Sequence, residues 1–152
     1  MLRVHARPDG MGVLGFSYGG YMAALLAGMY PFDWLVLRSP VIYPDADWLL
    51  AKEDLDRREV DAYRHAMHTP ENNRALAACT AFKGDVLLVQ SEHDEVVPRP
   101  VIDSYAWAFG NARSLVRHTL LEADHALSQA RWRRTYHAIV VDWLRERRRG
   151  GR

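Results

Sequence analysis

Cysteine is almost missing from this chain: 152 residues contain one, Cys79. One thiol excludes an internal disulfide and a cluster of thiolate metal ligands. It fits a reducing compartment, and a cytoplasmic location is expected. Long apolar runs are missing too, since none reaches the roughly 18 residues of a membrane span. The segment Met1 to Arg7 carries charge but lacks the apolar core of a signal peptide. Neither sign of charge dominates. Lys and Arg number 20 against 19 Asp and Glu, for a net charge of +1. That gives no electrostatic case for nucleic acid as the main partner. Repeats and low-complexity linkers are also absent. What is present is 49% apolar and 26% charged, an ordinary globular balance. The length suits one domain, spanning 1–152.

Short apolar runs alternate with stretches of helical period. Residues 11–16 read as a strand and 18–30 as a helix. Trp34-Leu35-Val36-Leu37 and Asp85-Val86-Leu87-Leu88-Val89-Gln90 read as buried strands. Residues 114–121 form a fourth, more polar and so nearer an edge. Val101, Ile102, Tyr105, Ala106 and Phe109 mark one face of a helix between the last two strands. Trp132, Tyr136, Ile139, Val140, Trp143 and Leu144 give a closing helix, about 128–147, its apolar stripe. Alternation with continuously apolar strands predicts an α/β class: a parallel sheet of about four strands covered by helices.

Residues 41–84 break that rhythm. They hold no convincing strand and predict a helical, cap-like excursion between the second and third strands. Helix is expected from Asp47 onward and over Asp54 to Met67. Thr69-Pro70-Glu71 carries the N-cap, proline and acidic pattern of a further helix start running towards Cys79.

The sharpest motif is Gly15-Phe16-Ser17-Tyr18-Gly19, at the end of the first strand and the start of the first helix. A serine between glycines on such a turn has the form of a nucleophile elbow, strained and with small neighbours two residues away. Alone it is a moderate signal. Asp94 then follows the third strand and His125 the fourth, both at strand C-termini, where a parallel sheet gathers functional residues. A serine hydroxyl needs a base near neutral pH, and histidine supplies one. A carboxylate fixes the tautomer of that histidine. The Tyr18 backbone N–H would face a developing oxyanion, at the positive end of the helix.

Gly-Phe-Ser-Tyr-Gly-Gly-Tyr-Met (15–22), Asp94…Val97-Pro98 and Asp124-His125 together resemble the α/β-hydrolases, especially the dienelactone-hydrolase-like and prolyl-oligopeptidase-like branches. Ser, Asp, His is also that superfamily's chain order. The resemblance covers nearly the whole chain but only the C-terminal half of the family's fold. It implies a serine hydrolase acting on a carboxylic ester or related acyl bond. Ser17 would be nucleophile, His125 base and Asp94 its orienting acid, with no cofactor and no metal. It also implies that residues 11–16 are the family's fifth strand. The preceding strands and the oxyanion loop are then not in this sequence. An incomplete half-hydrolase or interaction domain is the alternative, and a peptidase of the prolyl-oligopeptidase type a further one. The strand 11–16 edge would be open to self-association or to a missing N-terminal half.

Rivals stand beside these candidates. Glu92, Glu95 and Asp124 are acids near Asp94 or His125, and His93 adjoins Asp94. His65 and His68 sit at i, i+3, a spacing that permits a metal pair, but solvated helix residues are the expectation. Tyr43 and Trp48 are the better candidates for substrate contact, with Met22, Trp34 and Phe32 weaker ones. Arg145 to Arg149 is expected to solvate a helix C-terminus.

Overall fold

The structure, a computed structural model, describes residues 10–150. Four parallel strands lie side by side in sequence order: β1 (Gly12–Phe16), β2 (Trp34–Arg38), β3 (Asp85–Ser91) and β4 (Ser114–Leu120). Five α-helices accompany them: α1 (Tyr18–Ala27), α2 (Arg57–Arg64), α3 (Arg74–Ala81), α4 (Arg99–Ala108) and α5 (Ala130–Gly150). This is a partial α/β-hydrolase fold.

β2 and β3 are apolar on both faces because both faces are covered. Leu35, Leu37, Val86 and Leu88 point into one core, shared with α1, α3 and α4. Val36, Leu87 and Val89 point the other way, onto Trp132, Val140 and Trp143 of α5. Each such side chain contributes roughly 1.5–3 kcal/mol on burial. The first core has three helices over it and the second has one. Leu14 and Phe16 lie on the α5 side of β1, in register with Val36 and Arg38, and both remain exposed. Among the described residues nothing pairs with the outer edge of β1.

The excursion between β2 and β3 is helical, though in shorter pieces than its sequence suggests. Two single 3-10 turns, Asp45–Asp47 and Lys52–Asp54, precede α2. α2 spans eight residues, not fourteen, because Asp56 caps it by accepting from the Arg58 and Glu59 N–H groups. Thr69-Pro70-Glu71 does not start a helix. Asn72 closes a turn on Thr69, and Asn73 is the cap of α3, accepting from the Ala75 and Leu76 N–H groups. α3 itself belongs to the core, with Ala75, Leu76 and Cys79 buried. His68 lies outside α2 and is not solvated. It is buried, stacked on Tyr63 at 3.6 Å between ring centroids.

At the far end of the sheet, Asp85 accepts hydrogen bonds from Arg113, Ser114 and Arg147. This ties β3, β4 and α5 together. The Arg113 hydrogen bond, with those of Ser114 and Arg147, holds the Asp85 carboxyl well below the usual range against the opposing effect of burial.

Candidate active site

The turn after β1 is strained as its sequence suggests. Ser17 has φ 53 and ψ −116, outside the regions ordinarily open to an L residue. Four contacts hold it there. Its N–H donates to the Arg38 carbonyl at 3.0 Å, and its own carbonyl accepts from Gly20, Tyr21 and Val41. Gly15 must be glycine, since a Cβ there would overlap the Gly19 carbonyl. Gly19 is different: a Cβ on it would meet nothing within 4 Å. The second tight position is Gly20, where a Cβ would come 2.9 Å from Pro40.

The structure brings Ser17, His125 and Asp94 together. Ser17 Oγ is 2.8 Å from His125 Nε2, and His125 Nδ1 is 2.9 Å from each Asp94 carboxylate oxygen. A carboxylate only accepts, so Nδ1 carries the proton and Nε2 is left as acceptor for the serine hydroxyl. Asp94 is buried and fixed by the Val96 and Val97 N–H groups at 3.0 and 2.7 Å. Burial alone would raise its pKa. Hydrogen bonding from His125 and the Val97 N–H outweighs burial and leaves it below the ordinary value.

The neighbouring acids do other work. Glu92 accepts from the Glu122 N–H at 2.7 Å, and Glu95 from the His125 N–H at 3.2 Å. Asp124 accepts from the Ser128 N–H and hydroxyl, a cap on the turn before α5. The His93 N–H bonds to the Ala123 carbonyl, while its side chain is exposed. These links join the loop after β3 to the loop after β4, so the acid and the imidazole are held by one zipped pair of loops.

Tyr18 is the first residue of α1, and its N–H therefore has no partner inside the helix. Its ring lies at the wall of a cavity of about 250 Å³, together with Tyr21, Met22, Tyr43, Trp48 and Lys52. Tyr43 is anchored through its backbone and its neighbours. Asn73 donates to its carbonyl, Arg64 to that of Ile42 and Tyr105 to that of Val41. Burial and then the Asp45 charge push the Tyr21 phenol up to about 12, so it is a neutral wall at physiological pH. Trp34 and Phe32 do not line this cavity. Trp34 packs against Trp143 of α5, and Phe32 against the core under α1. Among the described residues no group of three His, Cys, Asp or Glu is placed to hold a metal, and no helix is long and apolar enough to cross a membrane.

The sequence offered no signal for two residues beside this constellation, of which Arg38 touches it. Arg38 donates from Nη1 to the His125 carbonyl at 2.9 Å, and its guanidinium lies 3.8 Å from the Phe16 ring centroid. Ser39 is wholly buried in a left-handed conformation, φ 40.

Solved structures share this fold. The esterase domain of a Rhodothermus marinus protein aligns with a TM-score of 0.62 at 18% identity, over 88% of this chain and 60% of its own. A Pyrococcus furiosus esterase gives 0.61 at 17%, over 89% and 52%. Pyrococcus horikoshii acylaminoacyl peptidase gives 0.62 at 17%, over 92% and 24%. The chain thus spans 60%, 52% and 24% of these three lengths. No curated protein sequence matches it. The sequence profile of the prolyl oligopeptidase family matches residues 3–149, nearly the whole chain, and the chain therefore belongs to that family.

Proposed function

We propose that this chain carries the reacting groups of a serine hydrolase that cleaves a carboxylic ester or related acyl bond. The observation that carries this reading is the relay from Asp94 through His125 to Ser17, with each link at 2.8–2.9 Å. Ser17 Oγ attacks the acyl carbonyl while its proton passes to His125 Nε2. The new C–O bond pushes charge onto the carbonyl oxygen, which the Tyr18 N–H stabilises. Collapse breaks the bond to the leaving alcohol, and His125 returns the proton to it. Water then gives a proton to Nε2 and attacks the acyl-serine, releasing the acid and restoring Ser17. Asp94 stays ionised throughout and holds the ring. Tyr43 and Trp48 form part of the wall that receives the acyl group.

Fluorophosphonate labelling of the purified chain beside Ser17→Ala tests this. Labelling confined to the native chain supports it. Equal labelling of both, or none in a folded sample, overturns it. Parallel turnover of an aryl ester and a short peptide amide separates ester from peptide cleavage.

A second reading, a catalytically incomplete half-hydrolase, is favoured by one observation. Tyr18 is the single backbone donor that the elbow supplies, and the second donor of the full fold comes from a loop after a strand these four do not include. Loss of one donor costs about 10²–10³ in turnover. Normal labelling with turnover lower by that factor is its signature.

A further inference from the structure

Arg38 ends β2 directly opposite Phe16 of β1, and both side chains lie on the α5 side of the sheet. It is only 3% exposed, and among the described residues no carboxylate forms an ion pair with it. A buried guanidinium without a paired carboxylate is costly, and an apolar residue would fill the space more cheaply. Its contacts indicate what offsets that cost. The backbone carbonyl of Arg38 accepts the Ser17 N–H. Its Nη1 donates to the His125 carbonyl. The guanidinium lies over Phe16, whose ring centroid is 5.4 Å from that of His125. The next residue, Ser39, donates its N–H to the Val89 carbonyl. Arg38 therefore meets two members of the relay, Ser17 through its backbone and His125 through its side chain.

We propose that Arg38 is a positioning residue for the relay: its guanidinium fixes the His125 backbone and the Phe16 ring beside it, holding Nε2 in line with Ser17 Oγ. The proposal rests on the hydrolase reading above. Burial lowers the Arg38 pKa from the ordinary arginine value, while the Tyr136 phenol and the Asp94 and Asp124 carboxylates act against that. The group remains a cation and a donor at neutral pH. Without it the His125 carbonyl loses its donor and the Phe16 ring its cover, and the imidazole can swing away from Ser17.

The test compares the native chain with Arg38→Met, which keeps the bulk but loses the donor, and Arg38→Lys, which keeps charge and donor. Three quantities are read: the rate of Ser17 labelling by a fluorophosphonate, kcat and KM on an aryl ester, and the low-field NMR proton of His125 Nδ1. Misplacement of a reacting group by about 1 Å can cost about 10²-fold. The Met variant is therefore expected to label about 10–100-fold more slowly, with the loss in kcat and not in KM. Its Nδ1 proton signal is expected to broaden or vanish, with the Lys variant between the two chains. A Met variant with native labelling and a native proton signal overturns the proposal. So does a loss confined to KM, or failure of both variants to fold, which marks a purely structural role. If the native chain neither labels nor turns over, the hydrolase reading falls separately and the proton signal decides for Arg38. A signal kept in the native chain and lost in the Met variant then supports positioning. A signal kept in both, or absent from both, overturns it.

Discussion

Ser17 Oγ and His125 Nε2 stand 2.8 Å apart although 108 positions separate the two residues in the chain. The contact depends on two different loops being fixed at the same end of one sheet. β1 delivers the serine through a strained turn, and β4 delivers the histidine through a loop clamped to the one after β3.

Removing the nucleophile gives the plainest outcome. Ser17→Ala is expected to lower ester turnover by at least about 10³-fold without changing the melting temperature by more than a few degrees. Steady-state kinetics with thermal unfolding on the same samples checks both.

Asp94→Asn leaves the shape but offers the histidine a donor where it needs an acceptor. The favoured tautomer is then reversed, and kcat is expected to fall by about 10⁴-fold. The Asp94 carboxyl sits below its ordinary pKa, so the native relay needs no alkaline pH to charge the acid. Single-turnover acylation across pH 5 to 9 checks this, with ordinary titration markers at about those values.

Trp48 is half exposed at the cavity wall, with the Arg74 guanidinium 4.1 Å from its ring centroid. Trp48→Ala is expected to reduce kcat/KM about tenfold for esters with bulky acyl groups and far less for acetyl esters. A series of acyl chain lengths on one leaving group measures the difference.

Asp85 ties β3, β4 and α5 through Arg113, Ser114 and Arg147. Asp85→Ala is expected to cost about 3 kcal/mol of unfolding free energy, because Arg147 is largely buried and loses its partner. The folded carboxyl titrates below the unfolded one. Its stabilisation is therefore full above the unfolded pKa of about 4 and is lost as pH falls through the lower folded value. Urea unfolding of both chains should show the gap narrowing below about pH 4. A gap that is constant down to pH 2 would contradict the assignment of Asp85 as the titrating group.

The outer edge of β1, unpaired among the described residues and flanked by exposed Leu14, is a template for another strand. Association in solution through this edge is expected, with Leu14→Lys shifting it towards monomer. Sedimentation velocity at several concentrations checks both.

Much of the fold was legible because its signals are local. Unbroken apolar runs marked β2 and β3, and the three-four spacing of Trp132, Tyr136, Val140 and Trp143 marked α5. The excursion was less legible. Thr69-Pro70 carries a helix-start pattern, yet Asn73 caps α3, because Asn72 is spent closing a turn on Thr69. His68 sits beyond the end of α2 and turns inward onto Tyr63, a contact no periodicity encodes. Gly19, half of the elbow motif, has room for a side chain, while Gly20 does not.

The sequence by itself determined the alternation of strands and helices, the glycine-bounded serine and the order of serine, acid and histidine. These depend on residue type and short spacing, which act within one turn or one strand. The family resemblance pointed to Asp94 among four nearby acids, and tertiary structure shows why the other three do not meet His125 Nδ1. Glu92, Glu95 and Asp124 are spent on backbone N–H groups of the same loops, and Asp94 is left to face the ring. It also decided that Arg38, an unremarked strand end in sequence, lies beneath the relay. Such a contact needs β1, β2 and the His125 loop to be brought to one place, and that comes from packing across the whole sheet.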